Sequence, residues 1–167
     1  MSEIVNKVAK SRLITLDLKD LYTEGKRAQI DIRPWLFMDA VLKEREFRAH
    51  VDALDISVYK DAFVSLYCSA DAIVPTWAYM LLAAKLQGTA KKVFFGSPNS
   101  RESILFREAI ARLNPSDYND GKVVIKGCSD VFVPEDAYVA LIELLLPVAK
   151  SIMYGEPCST VPLFKRK

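Results

Sequence analysis

Ala62-Phe-Val-Ser-Leu-Tyr-Cys68, Pro75 to Leu86 and Lys92-Val-Phe-Phe95 set the rhythm on which the fold turns. The first is a run of apolar and β-favouring residues short enough for a strand. The second is almost wholly apolar and long enough for a helix. The third, V-F-F, is continuous rather than alternating, as in a strand buried on both faces. The same alternation continues. Asn99 to Leu113 is amphipathic, and Asn99 with Glu102 has capping-box spacing. Lys122 to Lys126 (K-V-V-I-K) is a further strand. Glu135 to about Tyr154 reads as a long helix, opened by Pro134 and acidic residues and kinked at Pro147. Strand and helix alternating every thirty or so residues is the pattern of βαβ units in a parallel sheet.

Upstream, Arg12 to Leu18 (R-L-I-T-L-D-L) and Ala28 to Arg33 (A-Q-I-D-I-R) alternate with period two. Glu24-Gly25 between them is turn chemistry, so the two are expected to pair as a β-hairpin. From Trp35 to about Leu54, apolar residues at three- and four-residue spacing alternate with charges, which predicts an amphipathic helix. The expectation is one α/β domain over 1–167, its mainly parallel central sheet carrying helices on both faces. An N-terminal hairpin and helix fill about 1–58, and the βα repeat about 59–167. The helix of Pro75–Leu86 has almost no polar face and is expected to lie centrally or to mediate a homodimer.

Composition bounds the function. The 167 residues are 51% hydrophobic and 26% charged, with 23 basic against 21 acidic side chains and a net charge of +2. High apolar content excludes disorder as the main theme. The charge balance argues against dedicated nucleic-acid binding. No apolar stretch reaches the ~18 residues that cross a bilayer. Three Cys are a poor disulfide framework, so a reducing, cytoplasmic setting is expected, with thiols free or metal-bound.

Those thiols carry the chemistry. In an open parallel sheet, ligands gather beyond the carboxyl ends of the strands. Cys68 ends one predicted strand and Cys128 follows another. Cys158 lies in the turn-rich G-E-P-C-S-T-V-P. Asp71, Asp130 and Glu156 each stand within three residues of one of these thiols. Three thiolates and a carboxylate suit zinc, and three thiolates suit an iron–sulfur cluster with one open iron. Free Cys also packs as a small hydrophobe, and Asp71 and Asp130 also suit turns and helix caps. A second use is a thiol enzyme with Cys68 as nucleophile or sulfur acceptor ahead of a helix N-terminus. His50, the single His, sits in R-A-H-V-D on the amphipathic helix and reads as a surface residue, which disfavours a Cys–His hydrolase. A third use is an anion site at the strand-to-helix junctions holding Ser69, Ser97 and Ser100, with Lys126 and Arg101 either adding charge or solvated. Capping explains both junctions without a ligand, and neither matches a dinucleotide or P-loop fingerprint. Trp77, Tyr79, Phe94, Phe95 and Phe106 are expected in the core. The tail Phe164 to Lys167 is expected to be solvated.

Cys68 to Met80 (C-S-A-D-A-I-V-P-T-W-A-Y-M), Lys126-Gly-Cys128, Gly155 to Pro162 and the N-terminal N-K-V-A-K-S-R-L-I-T-L-D-L resemble an uncharacterised bacterial family. It is catalogued as domain of unknown function 2480, and the resemblance spans essentially the whole chain. It implies no established activity. A link of the family to iron–sulfur assembly implies metal or sulfur chemistry and protein partners in that process. The leading expectation is a metal-binding accessory protein using Cys68, Cys128 and Cys158 for zinc or an iron–sulfur cluster. The alternatives are the thiol enzyme and an interaction module with inert thiols.

Overall fold

A computed structural model describes residues 13–127, 129–156 and 158–167. Its strands are β1 (Leu13–Asp17), β2 (Lys26–Asp31), β3 (Ala62–Tyr67), β4 (Lys92–Phe95), β5 (Lys122–Lys126), β6 (Ser151–Glu156) and β7 (Ser159–Lys165). Its helices are α1 (Glu44–Ala53), α2 (Thr76–Leu86), α3 (Pro98–Ala111) and α4 (Glu135–Leu145). The α/β class and the mainly parallel pairing agree with the sequence. Two sheets form instead of one, in the orders β1-β5-β6-β7 and β2-β3-β4. The chain divides into two compact units, Glu24–Arg101 and the described residues up to Thr23 together with Glu102–Lys167.

In the unit of Glu24–Arg101, β3 runs parallel to both β2 and β4. Ala62, Val64 and Leu66 of β3 point to one face and share a buried cluster with Phe47 and Val51 of α1 and Ala78, Leu82 and Leu86 of α2. Phe63 and Ser65 point to the other face and are buried as well. The continuous apolar run at Ala62–Leu66 is thereby explained, since neither face of the strand meets water. Arg101, in the first turn of α3, is 6% exposed and donates to Ala28 O at 2.9 Å and Ser65 Oγ at 3.3 Å.

In the other unit, β1 and β6 flank β5 in parallel, and β7 returns antiparallel to β6. Leu16, Val123, Ile125 and Ile152 from these strands meet Phe106 and Ile110 of α3 and Ala137, Leu141 and Leu145 of α4.

Four expectations are corrected. β1 and β2 do not form a hairpin. Asp17 accepts from the Lys19 amide at 2.9 Å and starts a 3-10 turn at Leu18–Leu21, which turns the chain off the strand path. The helix expected over 35–54 is confined to α1. A 3-10 turn at Arg33–Trp35 precedes it, and Met38 and Asp39 take φ of 51° and 56°, which a right-handed helix does not admit. The long last helix ends at Leu145. Pro147 lacks the amide needed to continue it, and Ser151 onward becomes β6 beside β5. The tail is exposed at Lys165–Lys167, as expected, while its backbone pairs with β6 up to Lys165. Phe95, expected in the core, is 70% exposed, whereas Phe94 and Phe106 are buried.

Gly155 is required at the β6–β7 hairpin. Its φ is +121°, and a Cβ there would stand 2.6 Å from Ser159 O. No helix among the described residues is long and apolar enough to cross a membrane.

Candidate functional site

The carboxyl ends of β2 and β3 bring together side chains of quite different chemistry. Asp31 closes β2 in register with Tyr67 of β3, and Cys68 is the next residue. The Asp31 carboxylate accepts from the amides of Arg33 and Ser69, both at 3.0 Å, and from Ser69 Oγ at 2.6 Å. Burial pushes the Asp31 carboxyl up, but the hydrogen bonds from Ser69 and from the two amides, with the Arg33 charge, outweigh it and hold it below its usual range. Ser69 is thus committed to a carboxylate.

Cys68 is partly buried, and its thiol donates to Ala70 O at 3.7 Å. The Arg33 guanidinium donates to Asp39 at 2.9 Å, and that bond keeps its proton more tightly held, with smaller electrostatic contributions from Asp31 and Cys68. Burial raises the Tyr79 hydroxyl, and electrostatic interaction with Cys68 and Asp31 raises it further. A soft nucleophile, a cation and a phenol therefore share one strand end. Asp71 is exposed and lines a shallow hollow with Val41, Ile73 and Pro75. At the end of β4, Ser97 Oγ accepts from the Ser100 amide at 3.2 Å and lies 3.1 Å from Ser100 Oγ. Ser97 caps α3 in place of the expected Asn99.

The second rim is at the ends of β5 and β6. Lys126 Nζ pairs with Glu156 at 3.1 Å, and Lys19 Nζ with Asp130 at 2.7 Å. Both carboxylates proposed as metal donors beside Cys128 and Cys158 thus hold a lysine on the surface, where such pairs contribute little. Gly127, Ser129, Gly155 and Glu156 line one cavity with Tyr138 and Tyr154. Cys128, between Gly127 and Ser129, lies outside the described residues. Cys158 is exposed in the turn joining β6 to β7, not after a helix as expected. Among the described residues, no three His, Cys, Asp or Glu side chains gather as a ligand set. His50 is exposed, as expected, with its ring stacked on Trp35 at 5.5 Å.

Asp31, Arg33, Tyr79, Tyr138 and Tyr154 went unnoticed as site residues in the sequence. For Asp31 a signal was there: it ends a strand by the same rule that singled out Cys68. The tyrosines gave none, because an aromatic residue in an apolar helix or strand reads as core.

The fold and these rims define an α/β protein of parallel strands whose candidate donors sit at strand carboxyl ends. The chain belongs to the family described as Protein of unknown function (DUF2480), whose family model matches residues 2–166. No curated protein and no solved structure matches it.

Proposed function

We propose that the protein is a metal-binding accessory protein that holds zinc or an iron–sulfur cluster through thiolates. One observation carries the reading: each Cys follows the carboxyl end of a parallel strand. Cys68 comes directly after β3, Cys128 two residues after β5, and Cys158 two residues after β6. β5 and β6 are parallel neighbours, so their carboxyl ends lie at the same edge of the sheet. Thiolates with one oxygen donor are a zinc-type set, and thiolates also hold iron–sulfur clusters. Glu156 and Asp130 supply the oxygen at low cost, since each gives up only a surface ion pair. The test is zinc, iron and acid-labile sulfide analysis on protein purified without oxygen or chelator. Wild type is expected to carry about one zinc per chain, or iron with sulfide, as a thiolate site binds. Cys128→Ser and Cys158→Ser are expected to lose most of it, and Cys68→Ser shows whether the third thiol takes part. Metal-free wild type, or full metal content in all three variants, overturns the reading. Iron with sulfide would favour a role in cluster assembly.

A second reading has its own observation, the grouping of Cys68 with Arg33 and Tyr79. There Cys68 acts as the reactive thiol in sulfur transfer or thiol exchange, with the Arg33 guanidinium near enough to interact with it electrostatically. Iodoacetamide is expected to modify Cys68 about tenfold faster than the thiol of glutathione at neutral pH, as for an activated Cys. Arg33→Ala is expected to slow that reaction. A Cys68 no faster than glutathione, or indifferent to Arg33, removes this reading.

A further inference from the structure

β4 stands at the edge of the sheet β2-β3-β4, and among the described residues no strand pairs with its outer side. Such an edge presents a row of backbone N–H and C=O groups, which proteins ordinarily shield with lysine, proline or a bulge. β2, at the opposite edge, opens with Lys26-Arg27, and β7 of the other sheet carries Pro162 and a register shift against its neighbour. β4 is Lys92-Val-Phe-Phe95, with no proline and no bulge, and its one charge stands at its start.

Beside that edge the surface is apolar. Phe95 is 70% exposed, and Met80 of α2 is 66% exposed. Tyr79 of α2 meets the Phe95 ring edge to face, with centroids 4.9 Å apart. Tyr79, Met80 and Ala83 of α2 and Val93 and Phe95 of β4 line a hollow of about 480 Å³, and among the described residues none that lines it is charged. The backbone of an edge strand specifies an extended strand as its occupant, and the uncharged walls specify an apolar one. The chain holds such a strand in β4 itself. Knob and hollow lie on one patch, since Phe95 and Met80 project beside the space that a copy's side chains would fill. That self-complementarity is what a two-fold interface requires. With a net charge of only +2, two copies repel each other little. The charges on β2 keep the opposite edge from extending the sheet further.

We propose that the chain forms a homodimer in which β4 pairs antiparallel with β4 of a second copy, about a two-fold axis normal to the sheet. The two three-stranded sheets then continue into one another. α2 of both copies lies on the same face, and Met80 and Phe95 of each copy enter the hollow of the other. The pairing needs no thiol and no metal.

Sedimentation velocity on the full-length protein across the micromolar range tests this, with reductant and chelator present so that neither a disulfide nor a metal bridges copies. Wild type is expected to sediment as a dimer that dissociates on dilution. Phe95→Asp and Met80→Asp should each weaken it at least about thirtyfold, the scale of an interface hot spot. Both positions are exposed, so the circular dichroism of these variants should match wild type. Phe95→Leu, which keeps an apolar side chain, should still dimerise. Hydrogen exchange reads the strand pairing itself: amides of β4 should exchange at least about tenfold faster once the dimer is diluted apart, because a paired edge opens less often. A wild type that stays monomeric throughout overturns the proposal and leaves the edge to a foreign strand. A dimer indifferent to both aspartates overturns it as well. Exchange in β4 that ignores concentration while the dimer dissociates overturns the strand pairing.

Discussion

Phe47→Ala is expected to cost about 3–5 kcal/mol, the range for truncating a fully buried phenylalanine. Phe47 is 0% exposed and is the largest side chain that α1 contributes to its core. Its ring lies 5.6 Å from that of Trp35 and 5.7 Å from that of Trp77, edge to face with both. Removing it leaves a void between two large rings that α1 and α2 cannot close by small shifts, because each is also fixed by Val51, Ala78 and Leu82. Against a typical total stability of about 5–15 kcal/mol, roughly a fifth or more would be lost. The chain's two tryptophans are the two neighbours of Phe47, so their fluorescence reads the effect directly. The urea midpoint should fall by about 2 M at a usual denaturant slope, with native emission shifted to the red. An unchanged midpoint would show that Phe47 is not the keystone of this cluster.

Arg101→Met is expected to cost about 2–4 kcal/mol for a different reason. The guanidinium is nearly out of water and donates to Ala28 O and to Ser65 Oγ. Methionine replaces much of the volume and none of the donors. The carbonyl and a hydroxyl on a 0% exposed residue are then left short of partners in a dry place, and each unsatisfied group costs about 1–3 kcal/mol. Ser65→Ala alone should cost less, because it removes one acceptor and leaves the carbonyl bond. The double variant should be more stable than the sum of the single losses predicts, by about 1 kcal/mol, the coupling expected of groups in contact. Chemical denaturation of the four proteins measures the cycle. Strict additivity would mean that the Arg101–Ser65 bond carries no energy.

Local signals carried much of this architecture. K-V-F-F at 92–95 and K-V-V-I-K at 122–126 are strands with the expected ends, and the apolar helix at Pro75–Leu86 begins one residue later than expected. In each, apolar run length and flanking Gly, Pro or charge agree with the tertiary environment, so nothing nearby competes. The strands of 13–17 and 26–31 were equally legible, but their partners were not. A period of two reports that one face is wetter than the other, and it is silent on which edge the strand joins. Two parallel partners more than a hundred residues apart from β1, or some thirty-five from β2, leave no mark in a local window. The end of α4 was misread because an apolar segment of mixed propensity fits helix or strand. Pro147 stopped the helix, and the open edge of β5 took up the next segment as a strand.

The sequence by itself determined an α/β chain with thiols at strand ends, because strand, helix and breaker signals act over a few residues. Only the tertiary structure decided that there are two sheets, that Arg33 and Tyr79 attend Cys68, and that Tyr138 and Tyr154 converge over Gly127. Those facts depend on strand order and crossover, which are set by long-range burial and not by any residue's neighbours along the chain.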